Sequence, residues 1–192
     1  MKNLSAIIRG CIAKDSRCQK LIYKQYYGYA LKIVFRYSYD YHLATDLVND
    51  GFVKFFSNIG SFINQGGHSE PALMIWIKRL MVKAAVAELK RNNFLYKAGD
   101  IPGEFWQAPG PQQDADMLLE YRKLICHLKS LPPFYGVVYN MYVIDGFSHP
   151  EIAAQLNISI LKSRSNLCDA KAYLRELINR GQESNVACKV AT

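Results

Sequence analysis

Apolar side chains recur every three to four positions along most of the chain, which is the period of an amphipathic helix. The period is clearest over residues 21–37, 41–58, 71–92 and 117–128. It disappears between residues 93 and 116, where three prolines stand. We therefore predict an all-α protein without strands, in which two small helical domains are joined by a flexible linker.

The charged residues divide the chain at the same places. The formal net charge is +8 and the isoelectric point is near 9.2, which favours an anionic partner. Residues 1–92 carry a net charge of +8, residues 93–116 carry −3, residues 117–180 carry +3, and residues 181–192 sum to zero. We interpret these segments as a helical domain, an acidic linker, a second helical domain and a disordered tail. Two separate basic units indicate a binding protein.

The most specific local pattern lies in residues 146–174. Ser148 and Glu151 have the S-x-x-E spacing of a capping box, which starts a short helix. Asn157 tolerates a left-handed helix end, and Ser159 can cap a second amphipathic helix. A short helix, a tight turn and a second helix predict a helix-turn-helix that binds DNA. The alternative is a helical hairpin with no role in DNA binding.

The third predicted helix carries a stripe of charged residues. Asp46, Asp50 and Lys54 are spaced four residues apart, so they share one solvent-facing side. Gly51 lies in the middle of the same helix, where glycine costs about 1 kcal/mol relative to alanine. This glycine indicates close packing or a partner contact at that point.

The fourth predicted helix carries a basic stripe beside a tryptophan. Arg79, Lys83 and Lys90 project within about 40° of one another, and Trp76 lies between them and the core side. Such a group could hold a phosphate backbone while the ring meets a base. Alternatively, the lysines lie beside a core tryptophan with their charged ends in water. The preceding residues 60–70 are rich in Gly, Ser, Asn and His and predict a loop.

Several function classes are excluded by what the sequence lacks. It contains no P-loop, H-E-x-x-H, G-x-S-x-G or G-x-G-x-x-G motif, so we predict no enzyme, no cofactor and no small-molecule substrate. Five scattered cysteines without a C-x-x-C pair, and four scattered histidines, argue against a metal site. The apolar run at residues 72–77 is broken by Lys78 and Arg79, so we expect no membrane insertion and a cytoplasmic protein.

Three segments, in order, resemble the signatures of one protein family. DLVNDGFVKFF at residues 46–56 looks like D-L-V-Q-D-x-F. WIKRLMVKAAVAELKRN at residues 76–92 is similar to W-L-x-R-I-x-x-N-x-x-x-D-x-L-R-R. Residues 131–159 resemble L-P-x-x-x-R-x-V-F-x-L-x-x-x-E-G-x-S-x-x-E-I-A-x-x-L-x-I-S. The family is that of bacterial RNA polymerase sigma factors, in its small two-domain extracytoplasmic-function group.

The resemblance implies a transcription initiation factor that binds core RNA polymerase, directs it to specific promoters and helps to melt promoter DNA. The residues implied to bind core polymerase are Asp46, Leu47, Asn49 and Asp50. Those implied to contact the start-proximal promoter element are Trp76, Arg79, Lys83, Lys90 and Arg91, with residues 62–70 as a loop that captures a flipped base. Those implied to contact the upstream element are Lys162, Ser163, Arg164, Ser165, Cys168, Asp169 and Lys171. The linker would run toward the active-site channel of the polymerase, and an anti-sigma factor would be a further partner.

Several residues depart from the family pattern, among them Ile160, Leu161 and Lys162, which replace the usual E-G-T at the start of the second helix. Lys83 stands where the family usually has asparagine, and Ala87 where it has aspartate. Asp169 replaces an arginine at a position that commonly faces bases; an aspartate can accept a hydrogen bond from cytosine N4 but repels phosphate. Two alternatives therefore stay open. One is a sigma-like protein that binds polymerase or an anti-sigma factor without reading DNA, and the other is a stand-alone helix-turn-helix transcriptional regulator.

Overall fold

The computed structural model describes residues 4–38, 40–64, 69–92 and 115–181. Within these ranges the chain is helical and contains no strand, so the prediction of an all-α fold is confirmed. The helices are α1 (Leu4–Ile12), α2 (Ser16–Ser38), α3 (Tyr41–Asn64), α4 (Glu70–Arg91), α5 (Ala115–Lys129), α6 (Pro133–Tyr139), α7 (His149–Leu156) and α8 (Ile160–Gly181), with a π-helical turn (Asn140–Ile144) after α6. Most of the predicted linker, and the predicted tail after residue 181, lie outside the described residues. We call α1–α4 the N-terminal unit and α5–α8 the C-terminal unit.

Side chains cap the starts of α2 and α3. The backbone N–H of Arg17 donates to Asp15 Oδ1 at 2.8 Å, and that of Leu43 donates to Asp40 Oδ1 at 3.0 Å. Each carboxylate satisfies an amide that the first helical turn leaves without an intrahelical partner. Asp15 and Asp40 therefore stabilise the starts of α2 and α3.

Aromatic side chains fill the centre of the N-terminal unit. The long helix α2 packs against α1, α3 and α4. Phe35 and Tyr37 of α2 and Phe52 and Phe55 of α3 are buried where these helices meet. Because each such ring removes 150–250 Å² from water, a few of them supply much of the apolar contact that holds the unit together.

The third helix is longer than its sequence predicts. Glycine, serine and asparagine after residue 59 predict a loop, but α3 continues to Asn64. Phe62 is buried and stacks on Trp76 of α4, with the ring centroids 5.3 Å apart. Burial of this ring outweighs the weak helix propensity of the residues around it. The prediction that Phe62 belongs to a base-capturing loop is therefore wrong, and residues 65–68 of that loop lie outside the described residues.

The predicted close packing at Gly51 is confirmed. A Cβ added to Gly51 would lie 2.5 Å from Sδ and 2.8 Å from Cε of Met81 on α4. Gly60, in the same helix, meets no atom of the described chain within 4 Å of the corresponding position. Gly51 therefore lets α3 approach α4, whereas Gly60 has no such role.

The two glycines of α3 give a matched pair of stability predictions. We expect Gly51→Leu to lower the free energy of unfolding by about 1–3 kcal/mol, because the new side chain overpacks against Met81. Gly60→Ala should raise it by about 0.5–1 kcal/mol, because helix propensity improves without a steric conflict. Urea denaturation followed by circular dichroism measures both changes. An increase in stability for Gly51→Leu would contradict the packing assigned to this position.

The C-terminal unit is built around α8. Both α6 and α7 pack against α8, and Val137, Ile152 and Leu167 are buried between them. The helical segment that starts with α6 changes its winding after Tyr139. There the N–H of Asp145 donates to the carbonyl of Asn140, five residues back, at 2.9 Å. The hydrophobic pattern predicts a helix here but does not distinguish an α-helical turn from a π-helical one.

The two units lie against each other. Helix α2 contacts α5, α4 contacts α7, and the buried apolar side chains of both units form one continuous cluster. In the described ranges, no helix has the length and hydropathy of a membrane span. Nor do three His, Cys, Asp or Glu side chains of those ranges gather where they could hold a metal ion.

Candidate nucleic-acid interface

The helix-turn-helix consists of α7, the turn after it and α8. Ser148 Oγ accepts from the N–H of Glu151 at 3.4 Å, and the Glu151 carboxylate accepts from the N–H of Ser148 at 2.8 Å, so the predicted capping box is confirmed. Asn157 ends α7 in the left-handed conformation, with φ 55° and ψ 46°. Ser159 Oγ accepts from the N–H of Lys162 at 3.1 Å and starts α8 as predicted.

Ser163 holds the two helices of the motif together. It is fully buried, and its Oγ shares a 3.0 Å hydrogen bond with Nδ1 of His149, whose ring stacks on Tyr142 with centroids 4.4 Å apart. Burial, together with the positive charges of Arg164 and Lys171, lowers the pKa of His149 and favours its neutral ring. The prediction that Ser163 contacts DNA is wrong, because this position of α8 faces inward.

The outward face of α8 is apolar and weakly acidic at its centre. Leu161 is 75% exposed at the start of the helix, and Cys168 is exposed one and a half to two turns later. Ser165 Oγ donates to Asp169 Oδ2 at 3.5 Å. The exposed cations that border this face are Lys162, Arg164 and Lys171. This arrangement suits phosphate contacts at the borders and contacts with base edges at the centre.

The basic stripe of α4 begins at Arg79, which faces the C-terminal unit. Its Nη2 lies 3.2 Å from Oε1 of Glu151, and its guanidinium carbon lies 5.9 Å from the centre of the Phe147 ring. The arginine side chain remains 54% exposed, so this ion pair alone contributes little to stability. It does keep the charge of Arg79 beside the helix-turn-helix.

The other predicted cationic DNA contacts of α4 lie in two surroundings. Lys83 and Lys90 line a groove of about 260 Å³ together with Gln155 of α7. Arg91 pairs with Glu88 of its own helix, at 2.6 Å between Nη2 and Oε2. Lys83 and Arg91 are exposed, and Lys90 is half-buried.

Trp76 is part of the aromatic core of the N-terminal unit. Its ring lies 5.1 Å from that of Phe55 and 5.3 Å from that of Phe62, measured between centroids. The side chain is only half-buried. Packing on two sides favours the core interpretation of this ring over a free stacking platform.

The acidic face of α3 is open to solvent. Asp46, Asn49 and Asp50 are exposed, and the Tyr23 hydroxyl donates to Asn49 Oδ1 at 2.8 Å. Leu47 points the other way and is buried. The prediction that Leu47 belongs to a contact surface is therefore wrong, because its side chain packs in the core of the N-terminal unit.

Comparison with known proteins finds similarity to one family. Residues 121–174 match the sigma-70 region 4 family. The ECF RNA polymerase sigma factor SigM of Bacillus subtilis is 24% identical over 161 residues, which are 83% of this chain and 94% of SigM. The ECF RNA polymerase sigma factor SigE of Mycolicibacterium smegmatis is 21% identical over 159 residues, which are 81% of this chain. The chain is therefore similar to extracytoplasmic-function sigma factors over most of its length, and its helix-turn-helix matches the sigma-70 region 4 family.

The similarity to the two sigma factors extends well beyond the helix-turn-helix, since the two alignments cover four fifths of the chain. The aligned region spans only 59% of the length of SigE. A solved structure of CnrH in complex with the cytosolic domain of CnrY is 19% identical, with a TM-score of 0.49, over 91% of this chain and 96% of that one.

Sequence reasoning missed the residues that lie where the two units of the chain meet. From the sequence alone, Asp145 is interpreted as part of an Asp-Gly turn, and Lys78 as a charged residue next to the apolar side of its helix. The sequence pattern gives Phe147 and Arg36 no role beyond that of residues next to apolar segments. A single sequence holds no signal for their contact, because its partners are far apart along the chain.

Proposed function

We propose that this protein is a transcription initiation factor that binds core RNA polymerase and directs it to specific promoters. The observation that carries the proposal is the match of residues 121–174 to sigma-70 region 4 within a chain that aligns with sigma factors over four fifths of its length. The first 92 residues also resemble sigma factors, and a stand-alone helix-turn-helix regulator would not account for that resemblance. The proposed role is binding and positioning, and it requires no catalysis by the chain.

In this proposal α8 enters the major groove of the upstream promoter element. Lys162, Arg164 and Lys171 hold phosphates on either side of the groove. At the centre, Asp169 accepts a hydrogen bond from cytosine N4, and the exposed Leu161 contacts a thymine methyl group. Support comes from the exposure of Leu161 and of the three cations on a well-capped helix, where Asp169 is partly exposed.

The N-terminal unit has two proposed partners. Asp46, Asn49 and Asp50 bind core polymerase through their exposed carboxylates and amide. The basic stripe of α4, from Arg79 to Arg91, engages the start-proximal element as the duplex opens. An anti-sigma factor is a third partner, proposed on the family resemblance alone, and the site of action is the cytoplasm, where the polymerase works.

One observation favours a second candidate, a sigma-like protein that binds its partners without reading DNA. The centre of the outward face of α8 carries the carboxylate of Asp169 and no cation. A negative charge at that place repels phosphate and offers contact to few bases. Under this candidate the chain would occupy polymerase and start no transcription.

Run-off transcription from fragmented genomic DNA tests the proposal. Core polymerase from the source organism is assayed with and without the full chain. Discrete new start sites that share an upstream sequence motif are the expected result. Co-elution of the chain with core polymerase, without new start sites, would replace the proposal by the partner-only candidate. If the chain neither binds core polymerase nor starts transcription, its similarity to sigma factors is one of fold and not of activity.

A further inference from the structure

Cys126, near the end of α5, is disulfide-bonded. Three other cysteines of the described ranges, Cys11, Cys18 and Cys168, carry free thiols. The sequence contains five cysteines, and the fifth is Cys188, in the segment that follows α8. Within this chain, Cys188 is thus the one cysteine left to pair with Cys126. Because the connectivity of cysteines cannot be deduced from their spacing alone, the sequence gives no signal for this pair.

The length of the chain after α8 allows the pairing. Helix α8 ends at Gly181, and Cys188 follows seven residues later. Seven residues span at most about 25 Å when fully extended. The end of α8 already lies beside α5, because Ile178 lines the same groove as Leu124 of α5. The segment is therefore long enough to bring Cys188 to Cys126, where a disulfide requires Cα atoms about 4.4–6.8 Å apart.

The contact between α5 and α8 is partly open. A groove of about 260 Å³ lies between the two helices, and its apolar lining comes from Leu124, Tyr139, Leu174 and Ile178. Leu124 is 37% exposed and Ile178 is 51% exposed. The helices α6 and α7, by contrast, meet α8 through buried apolar side chains. Since a region with few buried apolar contacts opens easily, α5 is the helix of the C-terminal unit that a covalent link would stabilise most.

The free cysteines of the N-terminal unit are weak competitors for Cys126. Burial raises the pKa of the Cys11 thiol to about 11. Desolvation and a hydrogen bond to Asp15 raise the pKa of Cys18. Since the thiolate is the reactive form, both thiols react slowly near neutral pH. Cys168 is exposed on α8, and its thiol is therefore the competitor that an experiment has to control for.

We propose that Cys126 and Cys188 form a reversible disulfide that joins α5 to the segment after α8, so that oxidation stabilises the C-terminal unit. Disulfides are rare in the cytosol, where those that form are usually transient and either catalytic or redox-sensing. The bond itself is argued from Cys126 and from the length of the chain. Its bearing on DNA binding rests on the proposed function, because α8 is the helix proposed to enter the major groove.

Glutathione disulfide, a small-molecule disulfide, is a suitable oxidant. The thiolate of one cysteine attacks a sulfur of glutathione disulfide, which forms a mixed disulfide and releases one glutathione thiolate. The thiolate of the second cysteine attacks the protein sulfur of the mixed disulfide, which forms the bond between Cys126 and Cys188 and releases the second glutathione thiolate. The two protein thiols are oxidised, glutathione disulfide is reduced to two thiols, and the two protons pass to the released glutathione.

Peptide mapping after equilibration with glutathione tests the pairing. The full chain is incubated at a series of ratios of reduced to oxidised glutathione, alkylated, digested with trypsin and analysed by mass spectrometry without reduction. Trypsin releases Cys126 within residues 124–129 and Cys188 within residues 181–189. We expect these two peptides to be linked in a monomer, and the link to disappear on reduction with dithiothreitol.

Cysteine variants distinguish this pairing from its competitors. Cys188→Ser should abolish the linked peptide, whereas Cys168→Ser, which removes the exposed thiol of α8, should leave its yield unchanged. Non-reducing electrophoresis separates an intrachain link from a dimer. A link between Cys126 and Cys168, a dimer joined through these cysteines, or no link in oxidising glutathione would overturn the pairing.

Thermal unfolding and hydrogen exchange test the stabilisation. We expect the oxidised chain to unfold about 5–10 °C above the reduced chain, because the cross-link restricts the unfolded chain. Amide exchange in residues 124–129 should slow on oxidation, whereas exchange in residues 41–64 should not change. In Cys188→Ser, both measurements should be independent of glutathione. Equal melting temperatures and equal exchange in the two redox forms would overturn the stabilisation. Neither measurement uses polymerase or promoter, so its failure is distinguishable from a failure of the run-off assay.

Discussion

A chain that carries both Asp46→Lys and Asp50→Lys is expected to lose its association with core RNA polymerase, and with it all promoter-directed transcription. The two carboxylates are exposed and one helical turn apart on α3, so they present paired negative charge to a partner. Like charges brought together across an interface cost several kcal/mol. Since each 1.4 kcal/mol is a factor of ten, we expect affinity to fall by about a hundredfold or more.

Biolayer interferometry with immobilised core polymerase, in the absence of DNA, measures this loss directly. The single variant Asp50→Lys is compared with Glu176→Lys, which makes the same change of charge at an exposed position of α8. Exposed substitutions of this kind alter stability by about 0.5 kcal/mol or less, so folding should be unaffected. Wild-type affinity in the double variant would show that the polymerase binds another surface of the chain.

The features that could be predicted from the sequence are those with local causes. Caps such as Asp40 and Ser148 act within three residues, and Asn157 adopts its left-handed conformation through its own side chain. For this reason the helix-turn-helix is confirmed in detail. The fold class follows in the same way, because helical periodicity is a property of short windows of sequence.

The predictions that were wrong concern side chains whose burial depends on contact with a neighbouring helix. Ser163 and Leu47 lie next to exposed polar residues in the sequence, yet α7 and the aromatic core bury them. Phe62 extends α3 past a segment of loop composition because Trp76 offers it a stacking surface. Helical projection gives the direction of a side chain but not what stands in that direction.

The contact between the two units is the largest feature without any sequence signal. Net positive charge on both units suggests mutual repulsion, yet the contact brings Asp145 and Glu151 to Arg36, Lys78 and Arg79. Asp145 and Glu151 thus place acidic groups of the C-terminal unit against basic groups of the N-terminal unit, although both units carry a net positive charge. Their effect depends on position and burial, which composition does not record.

The second large effect is expected at the outward face of α8. The double variant Arg164→Ala with Lys171→Ala should lower transcription from the promoters that the chain recognises by about a hundredfold or more, because two hydrogen bonds to charged groups are lost and each is worth about 1.5–3 kcal/mol. Both side chains are exposed beside the reading face. Their loss should act on DNA binding alone, since neither lies on the acidic face of α3 proposed to bind polymerase.

Salt dependence separates a phosphate contact from a general loss of activity. For each phosphate contact removed, the slope of log affinity against log salt concentration should become shallower by about 0.9. Holoenzyme assembled with the double variant is therefore titrated against a promoter from the run-off experiment at several salt concentrations, with Arg175→Ala as a control on the same helix. We expect normal binding of core polymerase, weaker promoter binding and a shallower slope. Unchanged promoter binding and an unchanged slope would mean that α8 does not lie on the promoter as proposed, and the partner-only candidate would then gain support.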